Sequence, residues 1–148
     1  MNKLISDLKL HFQDNNNLSS FTINNFEEIK NTIEYPEPIT GRYSKKYLYQ
    51  DDTFEIVLLV WGKKSSTCNH KHPENGCILK VLKGKLLEKK YREELIYNIS
   101  ILKEDAGGYM HNNLGTHVVS SENESYSLHI YSPPKYYAEC DKKYGIVL

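Results

Sequence analysis

Two imidazoles stand one residue apart at His70-Lys71-His72, and a third, His117, follows far downstream between Gly115-Thr116 and Val118-Val119. On a β-strand, side chains alternate with period two, so His70 and His72 project to one face while Lys71 turns to the other. Two neighbouring histidines plus a remote one supply the ligands of a mononuclear metal site on a β scaffold. Three neutral imidazoles leave coordination positions open, and zinc and ferrous iron both suit this donor type, as do nickel, copper and manganese. Zinc would carry a hydroxide for hydration or hydrolysis, whereas ferrous iron would take a substrate and dioxygen. The common iron oxygenase triad includes a carboxylate. Glu74, two residues past His72 and beside Pro73, is placed in a solvated turn rather than on the metal.

A second polar constellation lies at Ser127-Leu128-His129-Ile130-Tyr131-Ser132-Pro133-Pro134. Ser127, His129 and Tyr131 share one strand face, and Leu128 and Ile130 share the other. If the polar face points inward, a hydroxyl, an imidazole and a phenol must hydrogen-bond in sequence to offset their desolvation. If it points outward, it is a solvated edge; alternation alone leaves both orientations open. His11, in a helical segment, and His111, beside Asn112-Asn113, are read as structural or exposed.

The elements that must position these residues follow from periodicity. Leu4, Ile5, Leu8 and Phe12 fall at helical spacing, and Asp14 to Asn17 ends that segment. A second helix is expected from Asn24 or Asn25 as N-cap through Phe26, Ile29 and Ile33, stopping before Tyr35-Pro36-Glu37-Pro38. Strands are expected at 53–61, 77–83, 86–91, 95–102, around Tyr109, at 117–120 and at 125–132, with Gly84 turning one hairpin and Asp105-Ala106-Gly107-Gly108 forming another turn. Short strands at this spacing predict an all-β sandwich or barrel behind a helical preface, inside which His70, His72 and His117 can converge.

Composition bounds the rest. The chain has 148 residues, enough for one domain with a substantial core, and is 39% apolar and 26% charged, as a soluble globular protein is. Its 19 basic and 19 acidic residues cancel, which removes the electrostatic case for nucleic acid or an anionic membrane. The longest apolar run, Ile56 to Trp61, is strand-sized, and Met1 to Asp7 lacks a signal peptide's apolar stretch. Cys68, Cys77 and Cys140 are a low and odd cysteine count, so a reducing, cytoplasmic setting is expected.

With these residues assembled, the chain resembles the thiol dioxygenases of the cupin superfamily, most closely the cysteine dioxygenase type I family. The resemblance runs from about Tyr43 to Pro134. It rests on 54–61, His70-x-His72, Cys77, Gly84, Gly115-Thr116-His117 and, most specifically, 127–134. The spacing His72-x4-Cys77-x6-Gly84 puts a cysteine where most cupins carry a glutamate ligand, a substitution typical of this family. The resemblance implies an all-β cupin (jelly-roll) barrel with a short N-terminal helical segment. It would form one domain over 1–148: a preface at 1–40, a barrel with the metal site at 41–134 and a C-terminal tail at 135–148.

For the site, the resemblance implies Fe(II) on His70, His72 and His117. L-cysteine would be oxidised by dioxygen to cysteine sulfinic acid, the sulfinic rung of thiol oxidation. Cys77 and Tyr131 match the pair that forms a thioether cross-link in the animal enzymes; Ser127 and His129 would orient Tyr131. Tyr43 and Lys45 would bind the substrate carboxylate. The family usually has arginine where Lys45 stands, a planar fork where lysine offers a point charge. Arg42 is nearby but alternates to the other face from Tyr43. Cys68 and Cys140 match no family role. The expected partners are a small thiol and dioxygen, in a monomer with no nucleic acid and no membrane. Alternatives are a dioxygenase of another small thiol, 3-mercaptopropionate or cysteamine, and a non-catalytic cupin that senses a ligand through its metal. The cysteine in the Cys77–Tyr131 pair favours the cysteine enzymes over the mercaptopropionate branch.

Overall fold

The computed structural model describes residues 1–136; residues 137–148, with Cys140 and most of the expected tail, lie outside the described residues. Two helices, α1 (Asn2–Asp14) and α2 (Phe26–Thr32), precede nine strands: β1 (Tyr43–Gln50), β2 (Glu55–Trp61), β3 (Ser65–Ser66), β4 (Cys77–Lys83), β5 (Leu86–Arg92), β6 (Leu95–Leu102), β7 (Gly107–Met110), β8 (Thr116–Ser121) and β9 (Ser125–Tyr131). They form two facing sheets of order β1-β2-β9-β4-β7 and β3-β8-β5-β6. The seven strands expected from sequence, β2 and β4 to β9, agree to within about two residues at each end, the ordinary scatter of element boundaries, although Gly107 and Gly108, expected in a turn, open β7; β1 and β3 are not among the expected strands. Among the described residues no helix is long and apolar enough to cross a membrane.

The helical preface has a packing role. Every residue of β2 is buried, which requires cover on both faces of the strand. Ile56, Leu58 and Val60 pack with Leu128 and Ile130 of β9 against Leu4, Leu8 and Ile29 of the helices. The opposite residues of β2, Val57, Leu59 and Trp61, form a second core between the sheets with Val81, Leu86 and Val119. Leu4 and Leu8 are spaced one helical turn apart and are fully buried, so α1 spends its apolar stripe on this outer cover. With Leu128 and Ile130 taken by the helices, Ser127, His129 and Tyr131 turn inward. The alternation left open by sequence is settled by what covers the outside of the sheet.

Register then places the chemistry. Tyr131 lies between Glu55 on β2 and Cys77 on β4; His129 lies between Val57 and Leu79; Ser127 lies between Leu59 and Val81. One expectation needs correcting. His70 and His72 do not sit on a regular strand. His70 makes an isolated antiparallel bridge to His117, and the chain then crosses from the β3 sheet to the β4 sheet past Pro73, which has no N–H to donate. The His72 backbone N–H is held instead by Asn112 Oδ1 at 2.8 Å. Gly115, at φ +96, starts the return into β8, and a Cβ there would collide with the Tyr91 carbonyl.

Candidate metal centre

His117 reaches the barrel interior from β8, and the extended crossing segment brings His70 and His72 to meet it. One ligand atom from each ring lies within 4.8 Å of the other two. His117 and His70 face each other through Nε2 atoms 3.0 Å apart. Their remaining nitrogens are already engaged. His70 Nδ1 donates to the Cys68 carbonyl at 2.8 Å, and His117 Nδ1 donates to Glu88 Oε2 at 2.8 Å. These bonds put the protons on Nδ1 and turn both Nε2 lone pairs toward the cluster, the outer support that metal-ligating histidines use. Both ring nitrogens of His72 are buried with no hydrogen-bond partner. An unpaired buried imidazole is costly, and a cation at the meeting point would satisfy it.

Electrostatics agree with that fit. Burial pushes His70 down to about 3, with the nearby His117 adding to the shift. Burial pushes His72 down to about 2, with His117 and His70 contributing next. Both rings are therefore neutral donors at physiological pH, the form that binds metal. Burial works against ionisation of Glu88, but the His117 hydrogen bond outweighs it, with the Lys90 ammonium adding to the effect, and that carboxyl is held below the usual carboxylate range.

Beside the imidazoles runs a continuous hydrogen-bonded row. Trp61 Nε1 donates to Ser127 Oγ at 2.8 Å, Ser127 Oγ meets His129 Nε2 at 2.7 Å, and His129 Nδ1 meets the Tyr131 hydroxyl at 3.1 Å. The indole is a donor only, so it fixes the direction of the row. Ser127, fully buried, accepts from Trp61 and finds an acceptor for its own proton in His129 Nε2. Neutral His129 then carries its proton on Nδ1 and donates to Tyr131, whose own O–H proton is left to face the cavity. Burial keeps His129 neutral, far below its ordinary value, and keeps the Tyr131 phenol protonated.

Cys77 lies directly across the β4–β9 ladder from Tyr131, and both turn into the same interior. Directly opposed side chains in an antiparallel pair have Cβ atoms roughly 5 Å apart. Burial raises the Cys77 thiol well above its ordinary value. Lys45 is 2% exposed, and its ammonium sits 5.9 Å from the Tyr131 ring centre. Burial lowers it to about 8, against the opposing pull of the Glu55 carboxylate. The Tyr43 hydroxyl is buried without a hydrogen-bond partner beside the same cavity.

All nine residues singled out by sequence, His70, His72, His117, Cys77, Ser127, His129, Tyr131, Tyr43 and Lys45, belong to this one region, and all but Ser127 line the cavity wall directly. Arg42 and Glu74 are exposed, as the alternation and the turn predicted. His111 is structural: its Nε2 donates to the Glu74 carbonyl and its Nδ1 accepts from the Asn113 N–H. Sequence reasoning missed Glu88 and Trp61. Glu88 looks like one of several charges in Leu86–Arg92, yet it shares a strand face with buried Leu86, a period-two signal that was available.

The sequence model of "Cysteine dioxygenase type I" matches residues 39–143. Cysteine dioxygenase type 1 of Bos taurus is 33% identical over 104 residues, covering 63% of this chain and 52% of that protein. The Danio rerio protein of the same name is 30% identical over 105 residues with the same coverage. The chain thus spans about half the length of the curated relatives it matches. Among solved structures, a Bacillus halodurans protein superposes with a TM-score of 0.58 at 18% identity, over 80% of this chain and 84% of that one. A cupin superfamily protein of Desulfitobacterium hafniense gives 0.55 at 12% identity, over 80% and 95%. The architecture is the cupin double-stranded β-helix.

Proposed function

The chain belongs to the cysteine dioxygenase type I family, and from that premise we propose that it is a non-haem iron thiol dioxygenase that converts L-cysteine and dioxygen to cysteine sulfinic acid. The observation that carries this reading is the convergence of His70, His72 and His117 on one point, with both nitrogens of buried His72 otherwise unpartnered, beside the opposed Cys77 and Tyr131. Held by those three imidazoles, Fe(II) would supply a Lewis acid that acidifies the substrate thiol and a redox centre able to activate dioxygen.

The protein's own residues position the reactants. The Lys45 ammonium and the Tyr43 hydroxyl are the cation and donor for a substrate carboxylate, so the thiol is directed at the imidazole cluster. Lysine gives this carboxylate a point charge without the two-pronged geometry of arginine, which holds orientation less tightly. Tyr131, aimed by the Trp61–Ser127–His129 row, offers its O–H proton to negative charge that develops on oxygen near the sulfur. Closed sheet walls keep bulk water from the sulfur while the substrate's S–H bond is lost and two S–O bonds form. The Cys77 sulfur and the Tyr131 ring become joined by a thioether as one S–H and one ring C–H hydrogen are lost to dioxygen, and this bond fixes the phenol over the cavity.

The reading is tested by one comparison. Iron-loaded protein is given cysteine, 3-mercaptopropionate and cysteamine side by side, with sulfinate measured and metal content assayed. Cysteine should lead and cysteamine, which lacks a carboxylate for Lys45, should trail. Zinc as the resident metal with no thiol-dependent oxygen uptake would instead support a ligand-sensing cupin.

A further inference from the structure

Tyr136 lies beyond the 127–134 motif, and a buried carboxylate sets its position. Glu55 on β2 is fully buried. Its Oε2 accepts the Lys135 backbone N–H at 3.1 Å and its Oε1 accepts the Tyr136 backbone N–H at 3.1 Å. Gln50 Nε2 adds a third bond to Oε2 at 2.9 Å. A carboxylate that grips two consecutive amides just after Pro133-Pro134 leaves that stretch little freedom. The Tyr136 ring is thereby laid 5.1 Å from the Tyr131 ring at 31°, with the Lys45 ammonium 6.0 Å from its centre. Its hydroxyl donates to the carbonyl of Lys71, the residue between His70 and His72. The phenol therefore spans the cavity from the Tyr131 side to the histidine segment.

We propose that Tyr136 is a specificity-determining residue: a crossbar held by Glu55 that admits thiols of about cysteine's size and refuses thiols carrying peptide-bonded extensions. This rests on the thiol dioxygenase reading and names its substrate limit. A substrate whose carboxylate meets Lys45 has that end under the Tyr136 ring. Free cysteine stops there, whereas a thiol whose carboxyl continues as an amide must run on through the space the ring fills. The Lys71 tie and the two Glu55 bonds oppose displacement of the ring from opposite ends.

The test uses metal-loaded wild type, Tyr136→Ala, Tyr136→Phe and Glu55→Gln. Binding of L-cysteine and of glutathione is measured by anaerobic calorimetry, and sulfinate is measured from each. Wild type should bind and oxidise cysteine and show no glutathione binding. Tyr136→Ala should bind glutathione and raise the glutathione-to-cysteine ratio of kcat/KM by about 100-fold, the scale of one pocket contact. Tyr136→Phe keeps the ring but loses the Lys71 tie, so about tenfold is expected. Glu55→Gln, with one amide oxygen for two N–H donors, should fall between them, and Tyr136→Ala decides the matter if that variant fails to fold. An unchanged ratio in Tyr136→Ala, or wild type that oxidises glutathione as readily as cysteine, overturns the crossbar and leaves thiol oxidation standing. Wild type that takes neither thiol overturns the functional reading, and the crossbar with it.

Discussion

Removing the Glu88 carboxylate should weaken metal retention without touching a ligand. His117 is the one imidazole of the three whose outer nitrogen is tied to a charged group, with a bond of 2.8 Å between side chains that are 5% and 11% exposed. Glu88→Gln keeps the volume and one acceptor oxygen but removes the negative charge that makes His117 a stronger donor. Glu88→Ala also strands a buried N–H, which costs about 1–3 kcal/mol when unsatisfied. Loss of such a support lowers metal affinity by about 10- to 100-fold, or about 1.4–2.7 kcal/mol. The glutamine variant belongs near the lower figure and the alanine variant near the upper. The assay is anaerobic competition for ferrous iron against a chelator at neutral pH, with melting of the metal-free proteins as the control for folding. An alanine variant that holds iron within about twofold of wild type would refute the argument that Glu88 sets the His117 donor.

His117→Ala should abolish iron retention altogether, because two imidazoles remain; full occupancy by metal analysis would contradict the ligand assignment. Lys45 deprotonates near pH 8, since burial lowers it, so its positive charge is present below that point and lost above it. The KM for cysteine should therefore climb through pH 8 relative to that of Lys45→Arg, which stays charged; taking the ratio of the two cancels the substrate's own titration. A ratio that stays flat across that range would remove Lys45 from the carboxylate site. The Cys77–Tyr131 thioether should appear in intact mass as a loss of two hydrogens that grows with turnover under oxygen and is absent from Cys77→Ser. No such loss after extensive turnover would leave the two side chains merely neighbours.

Much of this site is legible in the sequence, because metal ligands betray themselves by type and β alternation by spacing. His70, His72, His117 and the row from Ser127 to Tyr131 were legible in that way. The direction in which the row faces was not, since a strand with apolar residues on one face and polar on the other looks the same whether helices or solvent lie beyond it. Leu4, Leu8 and Ile29 decide it by covering Leu128 and Ile130. The continuous apolar run of β2 carried the hint, because a strand apolar on both faces needs cover on both sides. Residues that work through a partner were harder to see. Beyond the period-two spacing of Glu88 from Leu86, nothing in the sequence sets Glu88 or Glu55 apart from the other carboxylates, or Trp61 from its apolar run; their partners, His117, the 135–136 amides and Ser127, are brought to them only by the fold. The His70–His72 pair was expected on a strand and instead lies on a crossing segment, where Asn112 and a single bridge to His117 do the work of a ladder.

The most direct test of the central claim follows the oxygen atoms. Iron-loaded protein turning over cysteine under isotopically heavy dioxygen should yield sulfinate with both oxygens heavy, and Glu88→Ala and His117→Ala should lose that product in step with their lost iron. Sulfinate carrying one heavy oxygen or none, or heavy product formed undiminished by His117→Ala, would contradict a dioxygenase centred on these three imidazoles.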